Sequence, residues 1–143
     1  MKAQNKFNLK FPSKSANESF ARVAVASFIS QLDPTLEEMS DIKTAVSEAV
    51  TNSIVHGYSN TIGIVYITAE IFENRSVRIR IRDTGCGIEN VERAMEPLFT
   101  TVGGERSGLG FSVMQSFMDN LKVSSKPGKG TTVILSKKLS VKL

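Results

Sequence analysis

Glu48 and Asn52 stand four residues apart in EAVTNSIVHG, so on a helix they stack on one face and can reach a common ligand. The amide oxygen of Asn is a hard, neutral donor of the kind Mg²⁺ accepts while keeping several waters and borrowing further oxygens from phosphates. A carboxylate one turn away is placed to take the proton of an attacking hydroxyl or water. Alone, the pair also fits an exposed polar stripe. A second group, Asp83-Thr84-Gly85-Cys86-Gly87, follows a strand pattern. There Asp83 offers a fixed acceptor to the amino group of adenine, and Gly85 and Gly87 let a flat ring approach the backbone. Its bland counterpart is an Asp-x-Gly turn that bonds its own backbone. Third, Arg106-Ser107-Gly108-Leu109-Gly110 sets glycines at a helix start, where unpaired N–H groups favour an anion such as a triphosphate. Arg106 and Ser107, arriving from a mobile segment, would add a cation and a hydroxyl. The chain has no G-x-x-x-x-G-K-S/T loop and no G-x-G-x-x-G fingerprint.

These groups need rigid supports, and hydrophobic periodicity supplies them. Phe7, Leu9 and Phe11 alternate with Asn8 and Lys10 as a half-buried strand does, up to Pro12. Residues 17–32 carry apolar side chains at helical spacing and are stopped by Asp33-Pro34. Thr35 and Glu38 form a capping-box pair opening a long helix that is predicted to run to His56 and stop at Gly57. Residues 62–72 and 76–82 read as a hairpin with Val77, Ile79 and Ile81 inward and Arg78, Arg80 and Arg82 in water. After the Asp83 turn come a short helix, a long loop around 97–107 and a helix over 108–121. The strand LKVSS, a turn at Lys126-Pro127-Gly128 and a last strand TTVILSKKL complete the pattern. The expected class is α+β, a two-layer α/β sandwich whose mostly antiparallel sheet is covered on one face by helices. His56 reads as a structural residue suited to a helix C-terminus. Cys86 reads as an incidental small residue, and Met114, Phe117 and Met118 as core.

Composition narrows the field. A chain of 143 residues, 41% hydrophobic and 22% charged, has room for one hydrophobic core, so a single domain over 1–143 is expected. One Cys, one His and no Trp leave too few ligands for zinc, an iron–sulfur cluster or a disulfide framework, and point to a reducing cytoplasm. No stretch approaches the roughly 18 apolar residues that span a bilayer, and MKAQNKFNLKF lacks a secretory apolar region, so neither export nor membrane insertion is expected. The net charge of +4 comes from the two ends, through Lys2, Lys6, Lys10 and Lys14 and then Lys137, Lys138 and Lys142; the residues between carry more acids than bases. With 7% aromatics and none in a basic stripe, no direct nucleic-acid binding is expected.

The combination is more specific than its parts. An E-x-x-x-N helix, a strand-end D-x-G-x-G, a loop closing on G-x-G at a helix start and Gly128-Lys129-Gly130-Thr131-Thr132 follow one another in the order of the N, G1, G2 and G3 boxes. In that order the chain resembles the GHKL ATP-binding (Bergerat) superfamily. NESFARVAVASF, LDPTLEEMSDIKTAVSEAVTNSIVHGY, EPLFTT and SGLGFSVMQSFMD further resemble the anti-sigma F factor family of endospore-forming bacteria, small serine kinases of that superfamily. This resemblance implies a cytoplasmic homodimer that binds the sporulation sigma factor F in an ATP-dependent complex and phosphorylates a serine on an anti-anti-sigma partner. It implies Glu48 as catalytic base, Asn52 as Mg²⁺ ligand, Asp83 as adenine reader, and Gly85, Gly87, Gly108 and Gly110 as the nucleotide's cradle. Thr100, Thr101, Arg106, Ser107 and Leu109 join the ATP-binding set, Thr132 supports the adenine end, and Glu18 and Arg22 contact the partner. Where the family's lid resembles T-T-K-P-E-L-E-R-S-G, this chain reads Thr100-Thr101-Val102-Gly103-Gly104-Glu105-Arg106-Ser107-Gly108, one residue shorter and without Lys-Pro. That departure leaves Arg106 as the expected lid cation and Gly103-Gly104 as a looser hinge. An anti-sigma B type stress regulator, and a sigma-sequestering module without transfer, are the alternatives.

Overall fold

The computed structural model describes residues 2–95 and 106–141, the side chains of 106–109 excepted. In chain order these form β1 (Asn5–Pro12), α1 (Ala16–Ile29) with a 3₁₀ turn Ser30–Leu32, α2 (Leu36–Asn52) with a π-helical turn Ser53–Gly57, and β2 (Ile64–Ile71). Then come β3 (Ser76–Asp83), α3 (Val91–Ala94), α4 (Arg106–Phe117), β4 (Asn120–Lys126) and β5 (Gly130–Lys138). The strands make one sheet in the order β1-β2-β3-β5-β4, antiparallel at every pairing. Because β3 and β5 are neighbours although α3, α4 and β4 lie between them in the chain, the end of β3 stands beside the start of β5, with Asp83 opposite Thr131.

Alternation along the strands divides the sheet into a dry and a wet face. Val65, Ile67 and Ala69 of β2, Val77, Ile79 and Ile81 of β3, and Val133 and Leu135 of β5 are buried. They share the core with Ala21, Val25 and Ile29 of α1, with Ile42, Ala45, Val46, Ala49 and Val50 of α2, and with Phe111 and Met114 of α4. Burial of each Val, Leu or Ile here is worth about 1.5–3 kcal/mol. On the other face Arg80 and Arg82 are exposed, as the pattern predicts, with the Arg82 guanidinium 4.1 Å from the centre of the Tyr66 ring. Arg78 is held by Glu70 at 2.9 Å.

The predicted start of α2 is present in full. The Glu38 N–H donates to Thr35 Oγ1 at 3.0 Å, and the Thr35 N–H donates to Glu38 Oε1 at 2.9 Å. Its predicted end differs: the α-helix closes at Asn52 and the chain goes on for one wider turn, with the Tyr58 N–H donating to the Ser53 carbonyl at 3.0 Å. An i→i−5 closure of this kind is uncommon and concentrates at functional sites. The helix predicted over 108–121 runs instead over Arg106–Phe117, so Arg106 and Ser107 lie within its first turn rather than on the loop before it. Of the three residues read as core on α4's end, Met114 and Met118 are buried, whereas Phe117 is 36% exposed at the last helical position. Among the described residues no helix is long and apolar enough to cross a membrane.

Candidate functional site

A cavity of about 430 Å³ opens between the C-terminal half of α2 with its π turn, the end of β3, the segment after it, and α4. Asn52, His56, Asp83, Gly87, Phe111 and Thr131 are among its walls.

At the β3 side, Asp83 is 3% exposed, and one carboxylate oxygen accepts the Gly85 N–H at 3.0 Å. The Asp-x-Gly turn expected of this motif is therefore made, and Asp83 still borders the cavity. The loop that follows is stitched on both flanks. Towards the π turn, the Cys86 N–H donates to the Gly57 carbonyl at 2.9 Å and the Cys86 thiol to the His56 carbonyl at 3.0 Å. Towards the β4–β5 hairpin, the Gly128 N–H donates to the Cys86 carbonyl at 2.7 Å and the Ile88 N–H to Ser125 Oγ at 2.8 Å. This density explains the glycines differently from the first expectation. A Cβ on Gly85 would stand 2.0 Å from the Gly57 carbonyl oxygen, and one on Gly87, at φ 76°, 2.1 Å from the Lys126 carbonyl oxygen. The space these residues leave is filled by neighbouring backbone, not kept open for a ring.

At the α4 side, Asn52 and Glu48 face Gly110: a Cβ there would meet both Asn52 amide atoms at 3.2 Å and Glu48 Oε2 at 3.3 Å. Helical spacing thus brings Glu48 and Asn52 together as expected, and α4 packs over them at a distance where a side chain at position 110 would press on both. Both polar atoms of the Asn52 amide are buried, with no hydrogen-bond partner among the described residues. An unmet buried amide costs about 1–3 kcal/mol, so bonding a ligand here would recover that cost. Its free oxygen fits one inner ligand of Mg²⁺. Among the described residues no three His, Cys, Asp or Glu side chains gather at one point, so such a cation would take its other ligands from phosphate and water.

Other expected site residues fall as follows. Thr132 pairs with Arg82 and Ser124, which places it on the wet face; its neighbour Thr131, opposite Asp83, lines the cavity. The correction is one residue and follows from the pleat, because adjacent strand residues face opposite ways. Period-two spacing from buried Val133 and Leu135 puts Thr131 on their face, but that it stands opposite Asp83 is fixed only by the β3–β5 register. Ile88, Arg93 and Val133 also line the cavity without having been singled out, since no short motif marks them. The backbone of Arg106, Ser107, Gly108 and Leu109 forms the first turn of α4. Thr100, Thr101 and the rest of the lid through Glu105 lie outside the described residues. Glu18 and Arg22 are apart from the cavity, on α1, where they pair with each other at 3.7 Å beside exposed Phe20 and Val23. Cys86 is an exposed free thiol at the cavity wall, and His56 lines the cavity from the π turn.

Residues 11–137 match a family model described as the histidine kinase-like ATPase domain. The anti-sigma F factor of Clostridium acetobutylicum is 60% identical over 139 residues, 96% of each chain, and that of Caldanaerobacter subterraneus subsp. tengcongensis is 60% identical over 138 residues, again 96% of each. The chain belongs to the anti-sigma F factor family. Another relative in this family, from Clostridium beijerinckii, is 58% identical over 141 residues, 97% of this chain and 98% of that one. The two-layer fold of this family member extends further. A crystal structure of RsbU and RsbW domains from Mycobacterium tuberculosis superposes with a TM-score of 0.71 at 17% identity over 97% of the present chain, which spans 34% of that one. The histidine kinase domain of a blue-light activated histidine kinase from Erythrobacter litoralis gives 0.56 at 23% identity, over 85% of the present chain and 60% of its own. At such identities the likeness is one of fold. Membership of the ATPase domain family implies that the chain binds ATP.

Proposed function

We propose that this anti-sigma F family member is a single-domain, cytoplasmic protein-serine kinase that inhibits sigma factor F as a homodimer and phosphorylates a serine of an anti-anti-sigma partner. The observation that carries the reading is the Asn52 amide, buried beside Glu48 and without a hydrogen-bond partner among the described residues, in a cavity that Asp83 also borders. Asp83 accepts from the adenine amino group. Asn52 would hold Mg²⁺, which would supply neutralisation of phosphate charge. The N–H groups at the start of α4 receive phosphate oxygens. Glu48 takes the proton of the incoming serine hydroxyl, and alignment with charge neutralisation lowers most of the barrier. Glu18, Arg22, Phe20 and Val23 on α1 form the face offered to sigma factor.

Glu48→Gln separates transfer from binding. The variant should retain ATP·Mg²⁺ and sigma-factor binding in titration calorimetry while labelled phosphate incorporation into the partner falls by about 10²–10⁴-fold, the usual scale for a lost general base. Unchanged incorporation would sink the kinase reading and leave a nucleotide-dependent sequestering module.

A further inference from the structure

Tyr58 is the residue after the π turn, 7% exposed, and takes no part in the chemistry proposed above. Its hydroxyl makes three short contacts. It lies 2.7 Å from the Ile64 carbonyl at the start of β2, receives the Thr84 N–H at 2.7 Å, and lies 3.1 Å from Thr84 Oγ1. A tyrosine oxygen has one proton and two acceptor sites. Its proton goes to the Ile64 carbonyl, which has none to give, so both Thr84 groups must donate to the oxygen. The hydroxyl is then saturated, and two of its three bonds hold the residue directly after Asp83. The ring is seated just as tightly, since a Cβ on Gly63 would lie 2.2 Å from Tyr58 Cε1.

We infer that Tyr58 is a positioning residue for purine recognition: its hydroxyl ties the π turn of α2 and the start of β2 to Thr84 and thereby sets where the Asp83 carboxylate stands. The Asp83 backbone is fixed in the sheet between Val65 and Thr131, and among the described residues its carboxylate accepts from the Gly85 N–H. Without the hydroxyl, the Thr84 N–H, the Thr84 hydroxyl and the Ile64 carbonyl all lose this partner at once. The turn that starts at Thr84, and with it the Gly85 N–H that orients the Asp83 carboxylate, then shifts against the wall formed by Gly57, whose missing Cβ leaves the carboxylate its place. The inference rests on Asp83 being the adenine acceptor, so the test separates the two ideas.

Affinities for ATP and for purine riboside 5′-triphosphate, which lacks the 6-amino group, are measured by calorimetry with Mg²⁺ on the full chain. The parent should favour ATP by about tenfold or more, the worth of a hydrogen bond to a charged group. Asp83→Ala should abolish that preference. Tyr58→Phe, assayed below its own melting temperature, should reduce it to about threefold or less, whereas Thr84→Ser, which keeps the hydroxyl, should behave as the parent does. A general loss of stability weakens both nucleotides alike and leaves their ratio intact, so a parent-like ratio in Tyr58→Phe overturns the inference. If Asp83→Ala keeps the preference, the adenine reading itself fails. Should Tyr58→Phe not fold, Thr84→Val removes one donor to the tyrosine oxygen from the other side, and a parent-like ratio there overturns the inference equally.

Discussion

The two ends of the cavity are built on opposite plans. Around Asp83 the protein bonds to itself: Gly85, Cys86, Gly128 and Ile88 each donate to a group across the loop, and Thr84 is held by Tyr58. Around Asn52, by contrast, two buried polar atoms have no partner among the described residues. The first end is a mould already bonded internally in this structure. The second, among the described residues, is unfinished and has bonding capacity for a ligand. Under the function proposed above, base recognition would fall to the bonded end, while the end that would neutralise charge and move a proton keeps its bonding capacity in reserve.

Gly85→Ala breaks the mould. With a Cβ 2.0 Å from a backbone oxygen, the loop and the π turn must separate. A loss of about 3 kcal/mol is expected, the upper range for overpacking, with ATP affinity lost alongside. A thermal melt and a nucleotide titration check this; a parent-like melting temperature would show that the two segments do not touch as described. Asn52→Leu probes the unfinished end with the reverse signature. Replacing an unpartnered amide by an apolar group of similar shape should leave the ligand-free protein as stable as before, or stabilise it by up to about 1 kcal/mol. It should nonetheless erase most of the roughly 2.7 kcal/mol of stabilisation that ATP·Mg²⁺ gives the parent at 100 times its Kd. Clear destabilisation of the ligand-free variant would mean that Asn52 has structural partners.

Glu38 supplies a control far from both ends. Its carboxyl is partly buried, which works against ionisation, but the donating N–H groups of Thr35 and Ser140 prevail and hold it below its ordinary 4.5. A carboxyl depressed by folding stabilises the protein above its unfolded-state value, and that stability is lost as pH falls through the lower, folded one. Parent and Glu38→Gln should therefore differ by about 1 kcal/mol near neutrality, the scale of a helix cap. The gap should shrink below pH 4.5. Urea midpoints across pH 3–7 measure it, and a gap that widens on acidification contradicts the assignment.

Much of this was legible in the chain because the relevant physics is local. The Thr35–Glu38 box, the stacking of Glu48 on Asn52 and the in–out alternation of β3 depend on residues a few positions apart, whose relation is set by helix pitch or strand pleat. The order of four weak motifs pointed to the family before any distance was known. What escaped was set by segments that meet only after folding. Thr131 faces the cavity and Thr132 does not because β5 docks beside β3 in one register. Gly85 and Gly87 are small because the Gly57 and Lys126 carbonyls arrive there from elsewhere. The wider turn after Asn52, and the tyrosine it delivers, have no signature in EAVTNSIVHGY, since a π turn is stabilised by what its carbonyls meet across the cavity wall. Residue order was enough to nominate Glu48, Asn52 and Asp83 as candidates, for their chemistry is intrinsic to side-chain type and spacing; which polar groups are bonded and which have no partner among the described residues was decided by packing between distant parts of the chain.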